Sequence, residues 1–331
     1  VVRSFRSAEV SAARFRLRRG VPPAAIAVLA LVLCTSSAEG RTGARAGTGT
    51  PAVGLRVLRF VDRTRSIHLP DGRTEPRALI TYVRYPAVAR SGGGDLVGAA
   101  PARADGPFPL VVFGHGFAVT PAPYARLLRA WARAGYVVAA PVFPLENADA
   151  PGGPNEADIV NQPADMRFVI ARLVAASTSG TGSLRGLIDA SRIAVAGHSD
   201  GAETALLAAY DAAHYDSRIR AAVLLSGAET PPGGITLPRP SAALLATQGT
   251  ADTMNPPAIT DAFFRIALRP KFLLRLLGAE HLPPYTGEQP QLSVVEHVTI
   301  AFLDHYLKGA SLRRLLDDGT VRGVATLVSH P

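Results

Sequence analysis

Gly197-His198-Ser199-Asp200-Gly201 decides the fold of this chain, because it follows the short apolar run 193–196 and leads into the helix-like stretch 202–213. A serine held in a sharp strand-to-helix turn leaves no room for side chains two residues before or after it. Glycine therefore stands at 197 and 201. Such a turn pushes the Ser199 hydroxyl out at the carboxyl edge of a sheet, where it can act as a nucleophile. The flanking strand and helix separate this stretch from a serine that merely caps a helix.

Outward from this turn the pattern is repetitive. Leu110-Val111-Val112-Phe113 is a continuous apolar run suited to a strand buried on both faces. Helices are expected near 123–134, 157–176, 202–213, 257–267 and 294–307, with strands at 136–140, 193–196, 221–225, 243–247 and 272–276. This alternation argues for the α/β class: one doubly wound, mainly parallel sheet, with no internal repeat and no second domain. Two period-two stretches, 55–61 and 79–85, flank a turn at Pro70-Asp71-Gly72 and predict an antiparallel N-terminal strand pair. Residues 89–107 are rich in Gly, Ala and Pro and read as a loop. Only the Pro/Gly-rich stretch 227–240 separates two consecutive strands, which leaves no space for a large cap domain. An open cleft follows, walled by Phe117, residues 145–163 and residues 281–290.

Sites in such sheets lie beyond the carboxyl ends of the strands. A serine hydroxyl needs an imidazole to take its proton, and the imidazole needs a carboxylate to fix its tautomer. Asp252 follows the strand ending at Thr247, and His281 follows the strand ending at Leu276. Glu229, after the strand 221–225, is the alternative acid. His297 and His305 fall on the last helix, His198 is locked in the turn, and His214 ends a helix. The candidate catalytic residues are thus Ser199, Asp252 and His281. An oxyanion needs two backbone N–H donors: Asp200 N–H, at the amino end of a helix, and Phe117 N–H, in the turn Gly114-His115-Gly116-Phe117. His115 is expected to brace that turn. The Asp200 carboxylate must point away from the oxyanion, and its place in a first helical turn gives it a structural explanation.

Composition bounds the remaining possibilities. At 331 residues, 47% hydrophobic and 18% charged, the chain can bury a large core. Residues 1–38 differ from the rest: six arginines precede an uncharged apolar run at 21–33, and Thr35-Ser36-Ser37-Ala38 follows. This reads as a removable secretory signal, its apolar run of about a dozen residues falling short of the ~20 that span a bilayer. Cys34 as a lipid-attachment site and Arg18-Arg19 as a twin-arginine signal are variants of the same export reading. Residues 39–54 read as a flexible leader, and 55–331 as the catalytic domain. The whole chain has 35 basic and 26 acidic residues, of which the first 38 residues hold six and one, so the remainder carries +4 rather than +9. Its scattered arginines do not point to nucleic acid. Cys34 is the sole cysteine, so the exported form has no disulfide and no thiolate metal site. No cofactor, no stable membrane span and a monomeric state are expected.

With these residues in view, the chain resembles secreted bacterial α/β-hydrolases of the group that holds dienelactone-hydrolase-like esterases, platelet-activating-factor acetylhydrolase-like proteins and cutinase-like polyester hydrolases. The resemblance rests on residues 109–116, Gly197-His198-Ser199-Asp200-Gly201, Gly249-Thr250-Ala251-Asp252 and residues 302–309, and it spans roughly 55–312. It implies hydrolysis of small-molecule or polymeric carboxylic esters through an acyl-enzyme. Acetylhydrolases of that name place their acid where this chain has Ser226, so Asp252 makes the arrangement more like that of the polyesterases. The disulfide and aromatic clamp frequent in polyesterases are not evident, and Ser199 replaces the cysteine nucleophile of dienelactone hydrolases. An acyltransferase with the same triad and a noncatalytic binding protein that kept the fold are the alternatives.

Overall fold

The computed structural model describes residues 51–89, 92–231, 234–237 and 241–331. The expected signal segment, Cys34 and most of the leader lie outside the described residues. Ten strands form one sheet: β1 (Ala52–His68), β2 (Thr74–Ala87), β3 (Asp95–Val97), β4 (Phe108–Gly114), β5 (Val137–Pro141), β6 (Ile188–His198), β7 (Ile219–Leu225), β8 (Ala243–Gly249), β9 (Lys271–Leu276) and β10 (Ala325–His330). Their spatial order is β10-β9-β8-β7-β6-β4-β5-β2-β1-β3. The six strands from β5 to β9 are mutually parallel, while β1–β2, β2–β5 and β9–β10 pair antiparallel.

The central strands read as unbroken apolar runs because both their faces are covered. Every residue of β4, β5 and β8 is buried. The helices are α1 (Ala125–Arg133), α2 (Gln162–Thr178), α3 (Asp200–Tyr210), α4 (Pro257–Ile266), α5 (Pro283–Thr286), α6 (Gln291–Lys308) and α7 (Arg313–Asp318). Helices α2, α3 and α4 bury Met166, Ile170, Leu206 and Phe263 in the core on one face of the sheet. Helices α1 and α6 bury Leu128, Trp131, Val298 and Phe302 in the core on the other. Trp131 Nε1 donates to Thr299 Oγ1 at 2.8 Å, so the largest side chain of that second core has its polar atom satisfied. Gly309, at φ 72°, ends α6 with its N–H bonded to His305 O and that of Ala310 to Asp304 O.

The doubly wound sheet and its antiparallel N-terminal pair match the expectation from the sequence, and the differences lie at the edges. Strand β1 begins at Ala52 and runs well beyond residue 61, because β2 offers paired backbone along its whole length apart from an irregularity between Asp62 and Ser66. The loop 89–107 contains β3, and β10 closes the opposite edge. The described residues between β7 and β8 include no helix and no strand. From β4 the chain proceeds to β5 on one side and then crosses to β6 on the other. That reversal opens a crevice at the carboxyl ends of β4 and β6, where Gly114 pairs with Gly197.

Candidate active site

Ser199 stands directly after β6 with φ 54° and ψ −126°, a strained conformation for a residue with a side chain. Its N–H bonds Leu225 O at 3.0 Å, and its C=O accepts from Ala202 at 2.7 Å to start α3. The neighbouring glycines are required by contact. A Cβ on Gly197 would fall 1.9 Å from Gly201 O, and one on Gly201 would fall 2.2 Å from Gly114 O. A Cβ on Gly227, just past β7, would lie 2.3 Å from Ser199 O. Four segments therefore close on one another around Ser199.

Asp252 and His281 arrive on the loops after β8 and β9. His281 Nδ1 lies 2.8 Å from Asp252 Oδ2, and both side chains are buried. Asp252 Oδ1 accepts from the N–H groups of Met254 and Asn255 at 3.0 and 2.9 Å, while Gln248 Nε2 donates to Oδ2 at 3.1 Å. These donors fix the orientation of the carboxylate toward His281. Glu229 is exposed after β7, and Asp252 is the acid bonded to the imidazole.

His198 fixes the imidazole over the elbow. Its Nε2–H donates to His281 O at 2.9 Å, its Nδ1 accepts from Tyr124 OH at 2.8 Å, and its ring centroid lies 4.6 Å from that of His281. Burial pushes its pKa down to about 3, so it stays neutral and keeps this pattern. Tyr285, beneath His198, bonds Ser226 Oγ and Thr247 Oγ1 at 2.8 and 3.0 Å. Ser226 thus ties the ends of β7 and β8 together through Tyr285.

The turn after β4 behaves as a brace. His115 Nδ1–H donates to Gly116 O at 2.9 Å, and its Nε2 accepts from Phe143 N–H at 3.0 Å. Complete burial pushes its pKa down to about 4, which keeps Nε2 available as an acceptor. Ala118, at φ 55°, continues the turn and donates its N–H to Glu146 O at 3.0 Å. Neither Phe117 N–H nor Asp200 N–H has an acceptor among the described residues.

The Asp200 side chain lies beside Ser199, its Oδ1 3.4 Å from Ser199 Oγ. No hydrogen bond joins Ser199 to His281 among the described residues. Beside Asp200 lies Glu146, fully buried, whose carboxyl oxygens have no partner other than Asp200. Burial and the adjacent Asp200 carboxylate push the Glu146 pKa up to about 10. Sequence reasoning missed Glu146, Gly227 and Tyr285, whose contacts with Asp200, Ser199 and His198 span 54, 28 and 87 residues of chain, and Gln248, whose partners lie within 12 residues but which carries no motif.

Two comparisons agree with this architecture. The chlorophyllase family model matches residues 87–226, the segment that carries β4, the turn at 114–117 and the elbow. A ferulic acid esterase from Streptomyces cinnamoneus superimposes with a TM-score of 0.60 at 24% identity, covering 80% of this chain and 93% of that one. No curated protein matches the chain significantly. The fold is that of the α/β-hydrolases, and both matches bear the names of esterases within it. No helix among the described residues is long and apolar enough to cross a membrane.

Proposed function

We propose that this chain is a serine-dependent carboxylic ester hydrolase. Ser199 Oγ attacks the ester carbonyl while its proton passes to His281 Nε2, and Asp252 holds the resulting imidazolium. The hydroxyl reaches the imidazole by turning about its Cα–Cβ bond, away from Asp200. Phe117 N–H and Asp200 N–H receive the developing oxyanion, an interaction worth roughly 100-fold or more in turnover for each donor. Collapse expels the alcohol, which takes the proton from His281. Water then repeats the sequence on the acyl-enzyme and releases the acid.

The observation that supports this reading is the 2.8 Å Asp252–His281 contact, together with the bond that ties His281 O to His198, the residue before the strained Ser199. A ferulic acid esterase and the chlorophyllase family as matches favour ester substrates. The lack of a cap helix among the described residues favours bulky or extended ones. Export through residues 1–38 and action as a monomer complete the proposal. A fluorophosphonate is expected to label the wild type and not Ser199→Ala, and equal labelling of both overturns the reading. A chromogenic ester panel of graded acyl length then sets the substrate class.

A further inference from the structure

The residue after the nucleophile is an aspartate, and its side chain faces the reaction centre. An ionised Asp200 carboxylate 3.4 Å from Ser199 Oγ opposes the negative charge that forms when Ser199 attacks. It also competes with His281 for the hydroxyl proton. Something has to restrain it.

Glu146, on the loop after β5, is in the place to do so. It is fully buried, both its carboxyl oxygens and Asp200 Oδ2 are closed to solvent, and none of the three has a conventional hydrogen-bond partner. The two carboxyls lie within bonding reach of each other. Two buried carboxylates in contact do not both ionise, so one proton bridges them and the pair carries a single negative charge. The main chain of Glu146 has a second attachment. Its C=O accepts the Ala118 N–H at 3.0 Å, and Ala148 N–H bonds Val119 O at 3.3 Å. The same loop is fastened by Asn147, whose amide donates to Phe143 O at 2.7 Å.

We propose that Glu146 is a positioning residue of the oxyanion site: its shared proton pins the Asp200 carboxylate, and its main-chain carbonyl fixes the turn that presents Phe117 N–H. One residue thereby sets both halves of the site, the elbow through its side chain and the turn through its backbone. The inference rests on Ser199 being the nucleophile. Other charged groups face the pair. Asp158 and Glu156 lie in the turn before α2, with Asp158 tied to Arg77, while Glu203 lies on α3 and Tyr124 and His115 lie near Asp200. Glu203 itself titrates near neutrality, its pKa raised to about 7 by burial and by Glu229, so only a difference between variants isolates Glu146.

The test measures kcat and KM from pH 6 to 10.5 for wild type, Glu146→Gln and Glu146→Ala, with Ser199→Ala as the blank. Wild-type kcat is expected to fall toward pH 10 at steady KM, as the shared proton leaves and Asp200 is released. Glutamine donates an N–H to Asp200 and does not titrate. It is expected to hold neutral-pH kcat within about threefold and to abolish the alkaline fall. Alanine is expected to lower kcat about 100-fold, with KM changed far less. A labelled, active wild type whose alkaline fall persists in Glu146→Gln overturns the proposal, even if Glu146→Ala does not fold. So does a folded Glu146→Ala with kcat within about threefold of wild type. An unlabelled wild type instead overturns the nucleophile assignment, and this inference with it.

Discussion

Replacing Asp252 by asparagine tests the catalytic reading at its most constrained point. The new amide has two orientations. With its nitrogen at the Oδ1 position it meets the N–H groups of Met254 and Asn255, which cannot become acceptors. With its nitrogen at the Oδ2 position it meets Gln248 Nε2 and His281 Nδ1. Gln248 cannot flip to help, because its Oε1 accepts from Thr260 Oγ1 at 2.6 Å and its amide also donates to Asn255 O at 2.9 Å. Histidine alone can adapt. The nitrogen therefore settles at Oδ2, and His281 moves its proton from Nδ1 to Nε2. That is the atom which has to receive the Ser199 proton. In a protease triad the corresponding change lowers kcat about 10⁴-fold, equivalent to about 5.4 kcal/mol of transition-state stabilisation. The same loss in kcat is expected here on a chromogenic ester at pH 7.5. The two backbone bonds survive, so Tm is expected to stay close to wild type. Glu229→Gln, at an exposed residue, is expected to keep wild-type kcat. A kcat for Asp252→Asn within tenfold of wild type, or a large loss in Glu229→Gln, would refute the assignment of the acid.

Other consequences follow from contacts away from the triad. Gly227→Ala places a Cβ 2.3 Å from Ser199 O and 2.7 Å from Ser199 Cα, both backbone atoms, so the elbow must shift. An expected loss of roughly 100-fold in kcat is read against retained secondary structure by circular dichroism. Arg77, fully buried, forms bidentate bonds to both Asp158 and Asp165 and fastens the start of α2 to β2. Arg77→Met leaves two buried carboxylates without it and is expected to cost about 3–5 kcal/mol in urea denaturation, a loss under 1 kcal/mol counting against the network. Glu146 binds its proton more tightly in the folded state, with a pKa of about 10 against 4.5 for the free side chain. Its favourable contribution is therefore complete below pH 4.5 and declines as pH climbs toward 10. The Tm of wild type relative to Glu146→Gln should accordingly fall across that range, and a constant or rising difference contradicts the shared proton.

The chain by itself determined the layout of the sheet and marked out the parts of the candidate site. Gly197 is dictated by local sterics, its Cβ falling on Gly201 and Ala202, and runs such as 110–113 record burial on both faces, so each signal fits within a few consecutive residues. Gly201, by contrast, is held to glycine by Gly114 and His115 of the neighbouring strand end. Asp252 and His281 were legible because both fall just after strands, and a sheet of this class gathers strand ends. The edge strands left weaker traces: β3 has three residues, and β10 alternates burial irregularly along a short span. Tertiary structure alone decided the direction of the Asp200 side chain and the partner that restrains it. Whether a carboxyl is charged depends on the atoms packed around it. Glu146 acquires its proton from burial beside a residue 54 positions away, a circumstance that no local stretch of sequence encodes. Gly227 is likewise an ordinary loop glycine until folding brings it against Ser199.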